Sequence, residues 1–143
     1  MTEVDALQRT LAAEHAAVYV YGLLGSRTSQ ATEGPLYQAL RAAYDAHRER
    51  RDTLIGEIAA LGATPAAAAA AYTPPPALDT TDGRYAAALA LERGCASTYA
   101  ALVGETTGAR RVEAIGLLDD SAARELAFRG VPEDFPGYAD GEV

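Results

Sequence analysis

The segment TPAAAAAAYTPPPALDT, 17 residues from Thr64 to Thr80, restricts the topology more than any other part of the chain. Its three consecutive prolines have fixed φ angles and no amide donors, so they form extended, polyproline-like chain. The alanine tract before them is compatible with a short helical turn. At roughly 3 Å per residue, an extended segment of this length reaches about 50 Å. A helix of about 25 residues is only about 37 Å long. The linker can therefore travel from one end of a helical bundle to the other. The other connections in the chain are short and demand antiparallel neighbours. The pattern predicts two antiparallel helical hairpins joined by one end-to-end crossover. A simple up-down-up-down bundle would not need so long a loop.

Start and stop signals place the helices on either side. Thr2 and Asp5 have the spacing of a capping box, opening a helix over about residues 2–29. Pro35 sits where a first-turn proline belongs, starting a second helix over about 34–62. That helix ends at Gly62, which can take a left-handed conformation, and Pro65 prevents its continuation. A third helix covers about 81–106 and a fourth about 109–129, stopped by Gly130 and Pro132 before a tail over 130–143. With 143 residues and no internal repeat, the chain reads as a single all-α domain, 1–143, a four-helix bundle.

Composition agrees and narrows the function classes. Hydrophobic residues make up 49%, with many Ala and no Trp, which favours closely packed helices. The net charge of −8 disfavours nucleic acid as a partner, because phosphates call for a basic face. The one basic cluster, HRERRD at 47–52, is interrupted by Glu49 and Asp52 and reads mostly as a solvated helix face. Neither a signal peptide nor an apolar run of membrane-spanning length is present, so no membrane association is expected. The single Cys95 cannot form an internal disulfide or a thiolate cage; it reads as a small core residue in a reducing, cytoplasmic setting.

Seams of apolar residues at 3–4 spacing run along each helix. They are Leu7, Leu11, Glu14, Val18 and Tyr21 in the first, and Leu40, Tyr44, His47, Arg51, Leu54, Ile58 and Leu61 in the second. The third has Tyr85, Leu89, Glu92, Ala96, Tyr99 and Val103, and the fourth Val112, Ile115, Asp119, Ala122 and Leu126. Each seam carries a polar residue near its midpoint, so Glu14, His47, Glu92 and Asp119 are expected to converge at one level of the bundle. Asp120 takes the place of Asp119 if the fourth helix is slightly rotated. Three buried carboxylates cannot stay ionised without compensation. A metal ion held by Glu14, His47, Glu92 and Asp119 would supply it. So would protein cations, Arg51 one turn from His47 and His47 itself when protonated. Tyr44 lies one turn away on the same seam and belongs to this polar layer. The other tyrosines, Tyr19, Tyr21 and Tyr99, read as core or boundary packing.

The segments LQRTLAAEHAAVYVYG, AAYDAHRERRDTL and LERGCASTYAAL, within about residues 6–137, resemble a bacterial ferritin-like domain family of unknown function. That resemblance implies a ferritin-like bundle. Di-iron members of the superfamily carry a Glu on two helices and Glu-x-x-His on the other two. Glu14 and Glu92 match the single-Glu positions. YDAH retains His47 but has Tyr44 in place of Glu; DDSA offers Asp119 for the second Glu and Ala122 where His would stand. Two of the six ligand positions thus lack a suitable donor. The expected function is a metal-free binding or association module with no cofactor. The alternative is an iron- or manganese-binding oxidoreductase with a reduced, mononuclear carboxylate/His site. Iron storage fits poorly, since the ferroxidase pattern is incomplete and a fifth helix is lacking. The resemblance further implies a homodimer paired through the first two helices, with His15 and Tyr19 near that face.

Overall fold

The computed structural model describes residues 1–138; the end of the expected tail, 139–143, lies outside the described residues. Four helices carry the fold: α1 (Glu3–Ser26), α2 (Gly34–Ala60), α3 (Thr81–Glu105) and α4 (Gly108–Ala127). The capping box at Thr2 and Asp5 forms, with each side chain bonding the other's backbone amide. Gly62 ends α2 at a φ of +77°, and Pro35 occupies the first turn of that helix.

Helix directions follow from residue pairs along the bundle. On α1 and α3, Tyr21 meets Glu92 while Tyr99 meets Glu14, so these helices are antiparallel. On α2 and α3, Glu33 pairs with Arg84 and Arg50 with Tyr99, so these run parallel. On α3 and α4, Glu92 meets Ser121 and Asp82 meets Arg129, again antiparallel. Parallel α2 and α3 require the connection between them to cross the full bundle, and it does.

The crossover lies against α1 for most of its length. Within the segment the Thr80 amide reaches the Ala77 carbonyl and the Ala69 amide the Tyr72 hydroxyl; extended chain leaves its other polar groups to be satisfied elsewhere. Gln8 donates to the Thr64 carbonyl and accepts from the Ala66 amide, both at 2.8 Å. His15 Nε2 donates to the Ala66 carbonyl at 3.0 Å, and Tyr72 stacks on Tyr19 with ring centroids 5.2 Å apart. Leu78 then enters the core near Ala17 and Val20. The alanine tract is therefore irregular extended chain and forms no helical turn. His15 and Tyr19, expected near a dimer face, both contact this strap.

Two apolar clusters flank a polar layer at mid-height. One contains Tyr21, Leu24, Leu36, Leu40 and Phe128; the other contains Leu7, Leu11, Leu54, Ile58 and Leu102. The seam expected on α4 faces outward: Val112, Ile115 and Leu126 are exposed, as is Asp119. The inward face carries Ala114, Ser121 and Glu125 instead, and Phe128 is fully buried just beyond the helix. Small Ala114 and Ser121 let α4 approach α3 closely, which a Val/Ile/Leu seam would not. No helix is long and apolar enough to cross a membrane among the described residues.

Candidate functional site

Glu14 of α1, His47 of α2 and Glu92 of α3 meet at the bundle centre, each fully buried. The three elements that hold them are long, regular helices, and each residue replaces an apolar one on its seam. His47 bridges the two carboxylates, with Nδ1 2.6 Å from Glu14 Oε2 and Nε2 3.0 Å from Glu92 Oε1. A neutral imidazole has one ring proton and could satisfy only one of these oxygens; the imidazolium satisfies both.

Further donors complete each carboxylate. The Tyr99 hydroxyl donates to Glu14 Oε1. The Tyr21 hydroxyl donates to Glu92 Oε1 at 2.5 Å, and Ser121 donates to Glu92 Oε2 at 2.6 Å. Tyr21 also stacks on the His47 ring, centroids 5.2 Å apart. Two guanidiniums close the periphery: Arg50 donates to Tyr99 at 3.1 Å, and Arg124 Nε lies 3.2 Å from Glu92 Oε1. Both also reach Asp120, Arg124 at 2.7 Å. Three carboxylates, Glu14, Glu92 and Asp120, thus face three cations, protonated His47, Arg50 and Arg124.

The electrostatics follow that balance. Burial disfavours a charged His47, but hydrogen bonds to Glu14 and then Glu92 outweigh it and raise its pKa above the usual imidazole value. Burial likewise pushes Glu92 up, yet the His47, Ser121 and Tyr21 hydrogen bonds hold it below the usual carboxylate range. Both tyrosine hydroxyls are driven far up, by burial first and then by the adjacent Glu92 or Glu14, so they stay protonated and donate to those carboxylates. Burial and the same two carboxylates push the Cys95 thiol well above its ordinary value, which makes it an inert packing residue.

Sequence reasoning brings Glu14, His47 and Glu92 to the right place and misplaces their neighbours. Arg51 does not reach the layer: it lies on the outer flank of α2 and pairs with adjacent Asp52 at 2.7 Å. Arg50 takes its place. At about 100° per residue, Arg50 and Arg51 fall on opposite flanks of a line through His47, and only the Arg50 flank faces α3 and α4. Tyr44 shares the Arg51 flank; it is half-buried beside Gly22, with Arg48 over its ring at 5.6 Å. Asp119 points to solvent, and Asp120 is the acid that contacts the layer. Ser121, Arg124 and the hydroxyls of Tyr21 and Tyr99 are participants that seam reading did not assign. A signal for the tyrosines was present: Tyr21 follows Glu14 by seven residues, and Tyr99 follows Glu92 by seven. On antiparallel helices that equal spacing sets each hydroxyl opposite the other helix's carboxylate.

The two arginines separate experimentally. Arg50→Met removes a donor to Tyr99 and a cation beside Glu14, and is expected to lower stability by about 2 kcal/mol. Arg51→Met should stay within about 0.5 kcal/mol, as an exposed pair with Asp52 is worth little. Urea unfolding of both variants checks this; equal effects would contradict the assignment of Arg50.

Among the described residues, no group of three His, Cys, Asp or Glu side chains is arranged to hold a metal ion. No curated protein matches the chain. A solved structure similar to it is that of a conserved hypothetical protein, rv2844, from Mycobacterium tuberculosis. The two are 29% identical, with a TM-score of 0.81, over 89% of this chain and 94% of that one. The sequence family described as Domain of unknown function (DUF4439) matches residues 6–140, and the chain belongs to it.

Proposed function

We propose that this protein is a metal-independent binding module on a ferritin-like frame, in which a self-neutralised ion network stands where relatives of that frame would carry a metal centre. One observation carries the reading: His47 uses both ring nitrogens on opposite carboxylates. Glu14 and Glu92 lie at opposite edges of the imidazole, so the three side chains do not direct lone pairs at a common point. A divalent cation would need His47 deprotonated and turned, and would sit near the guanidiniums of Arg50 and Arg124. The donor set as arranged does not fit such an ion. Exposed Val112, Ile115 and Leu126 on α4 favour that helix, rather than strap-covered α1, for any pairing between copies.

Elemental analysis and thermal melting test the proposal together. Purified protein should carry no stoichiometric iron or manganese. Its melting temperature should move by no more than about 1 °C with chelator or with added Fe(II) or Mn(II), because only a ligand of the folded state shifts it. A bound metal whose removal lowers the melting temperature would establish the oxidoreductase reading instead.

A further inference from the structure

The backbones of α2 and α4 are not among the closely packed pairs, which are α3/α4, α1/α2 and α1/α3. The space between them is a groove of about 400 Å³, within the range of small-molecule sites. Ala46, Leu54, Leu102, Ala114 and Leu117 line its walls, so its length is apolar. The two ends differ in charge. At one, Arg50 and Asp120 form an ion pair that Arg124 also joins, and Glu49 lines the groove beside them, so two carboxylates there meet two guanidiniums. At the other, Glu57 of α2 and Glu113 of α4 are in contact, and Arg110 is the cation of the lining that acts on both. Arg110 is already paired with Glu3 of α1. Three carboxylates therefore share one guanidinium.

The deficit registers on Glu57. Burial raises its pKa, Arg110 pulls it back, and Glu113 and Glu3 raise it further, leaving the carboxyl above its usual range. A second positive charge would relieve that end. Inorganic cations could supply charge but would leave the apolar walls wet.

We propose that the α2/α4 groove binds a small amphiphilic ammonium ion, its alkyl chain along the apolar walls and its head group between Glu57 and Glu113. The acidic chain, at net −8, favours the approach of such a cation over an anion of the same shape. The proposal rests on the reading of this protein as a binding module and gives that module a ligand class.

Calorimetric titration of the full chain with octylammonium, butylammonium, octanoate and magnesium tests it. Octylammonium should bind and octanoate should not. Affinity should fall roughly three- to fourfold for each methylene removed, as expected for a buried chain. Glu57→Gln with Glu113→Gln should weaken octylammonium binding at least tenfold. These changes relieve like-charge repulsion, so folding is not threatened. Ala46→Leu, which fills the groove from one wall with the carboxylates untouched, should weaken it too. Octanoate binding as tightly as octylammonium, magnesium displacing octylammonium at equal concentration, or no response to either variant would overturn the proposal. Failure here with a chelator-insensitive melting temperature removes only the ligand; a metal found at His47 removes the metal-free reading and leaves this titration to stand by itself.

Discussion

His47→Leu is expected to cost about 3–5 kcal/mol of folding stability, among the largest effects of any single substitution in this chain. The leucine fills similar space, so the loss is electrostatic. Glu14 and Glu92 would remain fully buried, facing one another without the proton-bearing bridge that now satisfies both. Removing one member of a buried ionic network leaves an uncompensated charge, and penalties of that size follow. Tyr99, Tyr21 and Ser121 still donate to the two carboxylates, which keeps the cost from growing further. The pH dependence gives a second readout. Because the folded-state pKa of His47 is raised above 6.5, its contribution is complete below the unfolded value and is lost as pH rises through the folded one. Wild-type stability should therefore decline on the alkaline side of pH 6.5, and the variant should lack that decline. Urea unfolding across pH 6 to 9 measures both. A loss below about 1 kcal/mol would mean the bridge is not holding the layer together.

How much of this was legible in the sequence depends on the angular precision each inference required. The crossover needed none: residues 64–80 are too long and too proline-rich for a tight hairpin turn, whatever the packing. Gly62 and the Thr2/Asp5 cap are local signals and formed as expected. Glu14, His47 and Glu92 stood out because each interrupts an apolar seam at its centre, where any rotation within about 40° still points inward. The flanking choices were different. On α2, the series 40, 44, 47, 51, 54 and 40, 43, 47, 50, 54 are both acceptable 3–4 seams, and they differ only in which flank meets the partner helices. Nothing local decides between them, so Arg51 and Tyr44 were indistinguishable from Arg50 and Ala43. On α4 the hydrophobic rule itself misleads. The buried face holds Ser121 and Glu125 because the polar layer and Arg93 supply their partners, while the more apolar stripe with Val112 and Ile115 is left outside. Hydrophobicity predicts burial only where the neighbours are hydrophobic too.

Glu92→Gln should destabilise by about 2–4 kcal/mol while preserving the shape of the side chain. Glu92 is the most heavily solicited acceptor of the layer, with His47, Tyr21 and Ser121 donating to it and Arg124 alongside. An amide offers one acceptor oxygen where the carboxylate offers two, so its amino group must be turned toward at least one of these donors. The charge balance changes as well. With Glu92 neutral, protonated His47, Arg50 and Arg124 would face only Glu14 and Asp120, and His47 would hold its proton less firmly. The acid limb of the stability curve follows from the same residue. The folded pKa of Glu92 is depressed below 4.5, so its stabilisation is present above that unfolded value and is lost as pH falls through the folded one. Wild-type protein should weaken below pH 4.5 by this route, and the glutamine variant should show a shallower acid limb from a lower plateau. The alkaline limb should move to lower pH in the variant, because one of the two carboxylates that raise His47 is gone. A variant that kept both limbs unchanged would place the titrating charges elsewhere than between His47 and Glu92. The downward shift of the alkaline limb distinguishes a coupled pair from two residues that merely touch, since a contact that did not favour the imidazolium would lower the plateau without moving the pH at which His47 lets go of its proton.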